Sequence, residues 1–141
     1  MAAQACRKIQ ILSDALEPVL YDRADFIQHC KQMVLRHPSC SMQLLVKRSE
    51  SLRSMEHRLL DLMQRLPSRI VLKVCHYEDR DLPQSWLSVD EAALLLKSQP
   101  GLRAAMKWYQ HEPRLNADYQ KRFAKLWERA EIASELRRLA L

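Results

Sequence analysis

The chain has 141 residues, 48% hydrophobic and 28% charged, with a formal net charge of +6; that suffices for one compact domain with its own core, and no apolar run approaches the ~20 residues that cross a bilayer. A single glycine, Gly101, excludes nucleotide and hydrolase sites built on glycine-rich loops, because GxGxxG, GxxxxGK(S/T) and GxSxG are all missing. The N-terminus MAAQACRKIQILSD has no signal-like apolar region, and Cys6, Cys30, Cys40 and Cys75 are scattered without a CxxC pair, so a cytoplasmic protein with reduced thiols is expected.

Lys8 to Leu12 alternate weakly and suit a first strand, and Asp14-Ala-Leu-Glu-Pro18 breaks the pattern. A helix is expected from Asp22, its N-cap, because Phe26, Ile27, Cys30, Met33 and Val34 recur at helical spacing. His37-Pro38 ends it, since a residue before proline is pushed out of the α region. Met42 to Lys47 is a short apolar run that reads as a buried strand. A second helix is expected from Ser51 to Leu66, with Leu52, Met55, Leu59, Leu62, Met63 and Leu66 on one face, and Pro67 stops it. Ile70 to His76 is the clearest strand, and its near-continuous apolarity predicts burial on both faces. After the polar loop Tyr77 to Gln84, Trp86 to Val89 and Ala93 to Leu96 suit two strands joined at Asp90-Glu91, and Lys107 to Tyr109 an edge strand. The final helix is expected from Asn116, with Tyr119, Phe123, Leu126, Trp127 and Ala130 on its apolar face. The tail EIASELRRLAL keeps a helical pattern and is expected to dock. Alternating strands and helices predict one α/β domain over residues 1–141, with a mixed, mainly parallel sheet and helices on both faces.

Candidate sites are few. The basic excess sits at the end: residues 1–50 carry seven basic against five acidic side chains, 51–100 seven against seven, and 101–141 nine against five. Arg114, Lys121, Arg122, Lys125 and Arg129 could form a stripe for phosphates, with Trp86, Trp108 and Tyr109 to stack on bases, although a solvated helix face is the commoner meaning. Cys75-His76 places a thiol beside a base, but strand neighbours point to opposite faces. Asp79, Asp81, Asp90 and Glu91 could surround a divalent cation, and Cys30, Cys40, Cys75 and His76 a zinc ion; solvated acids and buried thiols are the readings preferred here. His57 and Arg58 suit the rim of the sheet in structural roles. No metal or cofactor is expected.

The element order, with Glu17-Pro18-Val-Leu-Tyr21-Asp22, His57-Arg58-Leu59-Leu60, Gln64-Arg65-Leu66-Pro67-Ser68, Phe123-x-x-x-Trp127-Glu128 and Leu136-Arg137-Arg138-Leu139, resembles one half of the phospholipase D-like superfamily. More specifically it resembles an uncharacterised bacterial domain often found behind GNAT-type acetyltransferase domains. That resemblance implies paired halves, each bringing HxKxxxxD, in which histidine attacks phosphorus, lysine holds phosphate oxygens and aspartate supports the site. The aligning stretch here is Pro83-Gln-Ser85-Trp-Leu-Ser-Val-Asp90, followed by Lys97-Ser98-Gln99-Pro100 where the family has GSxN. Pro83 and Ser85 replace the reacting residues, and Asp90 and Ser98 stand in place. Proline offers no nucleophile, so the family's covalent step cannot run on these residues.

The expectation is therefore a non-catalytic accessory or interaction domain, a homodimer or bound to a protein partner and not to a membrane. A nucleic-acid or polyanion binder using the C-terminal stripe is the alternative, followed by an enzyme with an unrecognised site. The vestigial positions Pro83, Ser85, Asp90 and Ser98 are expected to share one site.

Overall fold

The structure, a computed structural model, describes residues 7–14, 16, 21, 23–48, 58–90, 93–99 and 106–132. Its strands are β1 (Lys8–Ser13), β2 (Ser41–Val46), β3 (Ile70–Val74), β4 (Ser85–Val89), β5 (Ala93–Lys97) and β6 (Met106–Tyr109), in one sheet of order β3-β2-β1-β4-β5-β6. Parallel strands need a crossover, and α1 (Ala24–Arg36) and α2 (Arg58–Arg65) lie in those joining β1 to β2 and β2 to β3. From β1 the pairing turns antiparallel through β4, β5 and β6. Four strands, β1, β2, β3 and β5, thus run in one direction.

Side-chain alternation divides the core in two. Ile9, Ile11, Met42, Leu44, Val46, Ile70, Leu72, Leu87 and Val89 face one way and pack with Cys30, Met33 and Val34 of α1 and Leu59, Leu60, Leu62 and Met63 of α2. Leu12, Leu45, Trp86, Leu94 and Leu96 face the other way and meet Tyr119 and Phe123 of α3 (Pro113–Arg129). Trp86 and Phe123 are almost wholly buried, each worth roughly 2–3 kcal/mol of transfer free energy.

The element ends have local causes. His37 takes an extended backbone before Pro38 and closes α1. The Arg69 guanidinium then satisfies carbonyls of Val34 and His37 and, at 3.1 Å, of Cys40; a cation is favoured at a helix C-terminus. Asp22 lies outside the described residues, and the N-cap is Arg23, without a side-chain capping bond. Residues 51–57, including His57, and 133–141 also lie outside them.

Two expectations need correction. β3 is not buried on both faces: it is the outer strand of the sheet, and Val71, Lys73 and Val74 are half-buried beside buried Ile70 and Leu72. α3 begins at Pro113, not Asn116. Proline suits a first helical position because its missing N–H would have no intrahelical partner there. Past α3, Glu131 pairs antiparallel with Val74, so the chain runs back along β3.

Candidate functional site

In open α/β sheets, ligands bind outside the carboxyl ends of the strands where successive crossovers part. Here β1 lies between β2 and β4, and its carboxyl end, that of β2 and the start of β4 converge. Lys47, the residue after β2, occupies that place. Its side chain is fully buried, and Nζ donates to the carbonyls of Leu82 at 2.5 Å and Gln84 at 2.7 Å and to Ser85 Oγ at 3.2 Å. Asp14 Oδ1, on the partly exposed rim, lies 3.5 Å away.

The position after the apolar run of β2 and the segment 82–84 that leads into β4 create this arrangement. An ammonium has three hydrogens and no acceptor. Lysine beside serine has the composition of a serine–lysine nucleophilic pair. A base needs a free lone pair, however, and this nitrogen directs its donors at carbonyl oxygens. Lys47 closes the end of the sheet.

The vestigial positions do not share one site. Ser85 is buried beside Lys47, and Pro83 is exposed just before it. Ser98 is exposed and follows Lys97, the partner of Ser85, so it lies at the same end. Asp90 lies at the other end of β4, five residues or roughly 17 Å from Ser85. There its Oδ1 accepts the amides of Arg7 at 3.1 Å and Lys8 at 2.9 Å. Its φ of 51° is a left-handed turn conformation that aspartate tolerates. Asp90 therefore ties the β4–β5 turn to the start of β1, and the motif spacing separates it from the Lys47 end because β4 is extended.

The basic stripe is also divided, by the helical turn of α3. Arg122 bonds Gln84 Oε1 at 2.5 Å and lies 4.9 Å from the Trp86 ring centre and 5.0 Å from that of Tyr119. Seven residues on, Arg129 meets Glu78 Oε2 at 3.0 Å, Asp79 Oδ1 at 3.4 Å and His76 Nδ1 at 3.2 Å. The hydrogen bond from Arg129 is the main reason the Glu78 carboxyl titrates below its ordinary value. Arg114, Lys121 and Lys125 point to solvent. The stacking trio does not form a platform. Trp86 is buried against Tyr119, while Trp108 and Tyr109 are successive residues of β6 and face opposite sides.

Asp81 meets Arg48 at 3.4 Å, and Glu91 lies outside the described residues. Among the described residues no three His, Cys, Asp or Glu side chains are grouped to hold a metal ion. Burial pushes the Cys30 thiol up to about 12. Burial, with Asp79 adding to it and Lys47 opposing, pushes Cys75 up to about 11. Both shifts are opposite to what an activated thiol needs. The described helices include none long and apolar enough to cross a membrane.

The sequence reading missed Lys47 and Gln84. A lysine directly after a buried parallel strand, at the carboxyl end where ligands usually bind, was the available signal for the first.

Comparison with solved structures places this architecture. NucT from Helicobacter pylori superposes with a TM-score of 0.67 at 10% identity, over 94% of this chain and 86% of that one. Nuc from Salmonella typhimurium, a phospholipase D family member, gives 0.58 at 11%, over 92% and 84%. TrmBL2, an archaeal chromatin protein described with a novel mode of DNA binding, gives 0.64 at 15% over 94% of this chain, which spans only 47% of that protein. At such identities the likeness shows the fold, which is phospholipase D-like. No curated protein matches by sequence. A family model does match, over residues 1–139, and the chain belongs to that family, the Domain of unknown function (DUF7931).

Proposed function

We propose that this chain is a non-catalytic accessory or interaction domain on a phospholipase D-like scaffold, acting by binding. The observation that carries this reading is Lys47, whose buried ammonium donates to Leu82 O, Gln84 O and Ser85 Oγ at the carboxyl end of β2, beside the motif position Ser85. With Pro83 and Ser85 at the motif positions, the aligned stretch carries neither the family's histidine nucleophile nor its phosphate-holding lysine. Its partner is a protein surface, such as a GNAT-type acetyltransferase domain, or a second copy of the chain. The test is turnover of bis-p-nitrophenyl phosphate and of DNA by the purified chain, with Ser85→Ala alongside. No turnover is expected, and turnover that vanishes in Ser85→Ala would overturn the reading.

A second reading, polyanion binding, draws on the exposed Arg114, Lys121 and Lys125 and on the DNA-binding archaeal protein of similar fold. Three phosphate contacts would give a salt slope of about −2.7 on duplex DNA, or roughly 40-fold weaker binding from about 50 to 200 mM salt. No retention on a polyanion column at low salt removes this second reading.

A further inference from the structure

α3 crosses β4 and β5, and between its C-terminal half and the strands β1 and β2 lies an open cleft of about 330 Å³. Among the described residues, Lys8, Gln10, Gln43, Phe123 and Trp127 line it, with Lys125 and Glu128 at its mouth. The parallel register sets Gln10 beside Gln43, and both point to the α3 side, as Leu12 and Leu45 do two residues later. From Gln43 to Lys47 is four residues, roughly 13 Å along the strand, so the cleft is separate from the Lys47 end.

Gln10 is unusual for a central strand. It is only 4% exposed, and its Nε2 donates to Gln43 Oε1 at 2.8 Å. Its own Oε1 is buried with no hydrogen-bond partner among the described residues. Turning both amides over reverses the bond and still leaves one polar atom of Gln10 unpaired. Buried polar groups are rarely left so, and this one lines a cleft large enough for a small molecule. The amide thus holds a buried, unpartnered acceptor beside a second N–H, the donor–acceptor pair that would match an adenine edge once a guest displaced the surrounding side chains. Phe123 and Trp127 stack on each other, ring centres 5.7 Å apart, and Lys73 Nζ lies 4.6 Å from the Trp127 ring centre, so the apolar wall of the cleft is packed and Phe123 itself is buried. Two ammonium-bearing side chains, Lys8 and Lys125, and one carboxylate-bearing one, Glu128, are among the cleft's exposed lining residues. Lys8 is two residues before Gln10 on the same face, roughly 7 Å along β1, and its long side chain extends that reach.

We propose that this cleft binds an adenine nucleotide, the base edge on Gln10 and the phosphate between Lys8 and Lys125. A free nucleotide and one nucleotide of a single strand share that chemistry. The full chain is titrated with AMP, ribose 5-phosphate and a short oligo(dA), followed by calorimetry and amide chemical shifts, in wild type, Gln10→Met and Lys125→Glu. AMP or the oligomer should bind, ribose 5-phosphate at least tenfold more weakly than AMP. Gln10→Met should weaken binding tenfold or more with no loss of melting temperature, and Lys125→Glu, a surface change, at least threefold. Binding of AMP points to a free nucleotide, and binding of the oligomer alone to a strand. The proposal is overturned if neither binds, if ribose 5-phosphate binds as well as AMP, or if folded Gln10→Met and Lys125→Glu bind as wild type does.

Discussion

Replacing Lys47 by methionine tests whether this side chain holds the fold or is kept for chemistry. Methionine fills similar volume without charge, so the change removes the donors and little of the packing. It leaves Leu82 O, Gln84 O and Ser85 Oγ without the bonds Lys47 supplies. Each buried acceptor so orphaned costs about 1–2 kcal/mol, and relief from burying an ammonium returns part of the sum. A net loss of about 3 kcal/mol follows, or about 10 °C in melting temperature for a domain of this size. Asp14→Asn is the companion variant. The Asp14 side chain is 36% exposed and lies 3.5 Å from Nζ, so solvent screens the pair and its loss should stay under about 1 kcal/mol. Urea denaturation of the three proteins reads both numbers. A lysine retained for ligand chemistry would give the opposite sign, since buried charges replaced by apolar side chains often leave proteins equally or more stable. Lys47→Met as stable as wild type therefore refutes the structural role.

Asn116 is wholly buried, accepting from Ser88 Oγ at 2.7 Å and donating to Ala93 O at 3.0 Å; Asn116→Leu should cost about 2–3 kcal/mol in urea melts, and a loss below about 0.5 kcal/mol would show that these bonds do not hold α3 to the β4–β5 hairpin. The thiols predict a pH dependence. Burial raises Cys30 to about 12 and Cys75 to about 11 from 9.0, so above 9.0 the unfolded chain loses thiol protons that the folded chain keeps. Stability is unaffected by them below that value and falls as pH rises from about 9, the Cys75 part complete by about 11 and the Cys30 part by about 12; a slope in the urea midpoint that survives Cys30→Ala with Cys75→Ala would assign it to other groups.

The sheet and its helices were legible because they depend on local pattern. Weak alternation located β1, short strand-like segments around Asp90-Glu91 located β4 and β5, and Pro38 and Pro67 marked where helices stop. The site was less so, because its contacts join distant segments. Nothing near Lys47 in sequence shows that Leu82, Gln84 and Ser85 will arrive as its acceptors. Arg122 and Arg129 look like solvated helix charges until β4 places Trp86 under one and the Tyr77–Asp79 turn sets Glu78 and Asp79 against the other. HxKxxxxD spacing grouped Asp90 with Pro83 and Ser85, although the strand expected at Trp86 to Val89 already carries its two ends apart. Asn116 illustrates a third cause: the helix was expected from it, whereas Pro113 starts the helix and Asn116 is buried one turn inside.

β1 has a consequence for how the chain assembles. It joins the parallel β2–β3 ladder to the antiparallel β4–β5–β6 ladder, and among the described strands those two ladders meet only through it. The first strand in sequence is thus a keystone whose final partner, β4, emerges more than seventy residues later. During synthesis β1 can pair with β2 early, but its other edge must wait for Ser85–Val89 and for the Asp90 carboxylate to engage the amides of Arg7 and Lys8. Closing so long a loop is slow, which makes this step the natural bottleneck in folding. Deletion of the first strand would leave two smaller sheets, each with a bare edge and its own helical cover.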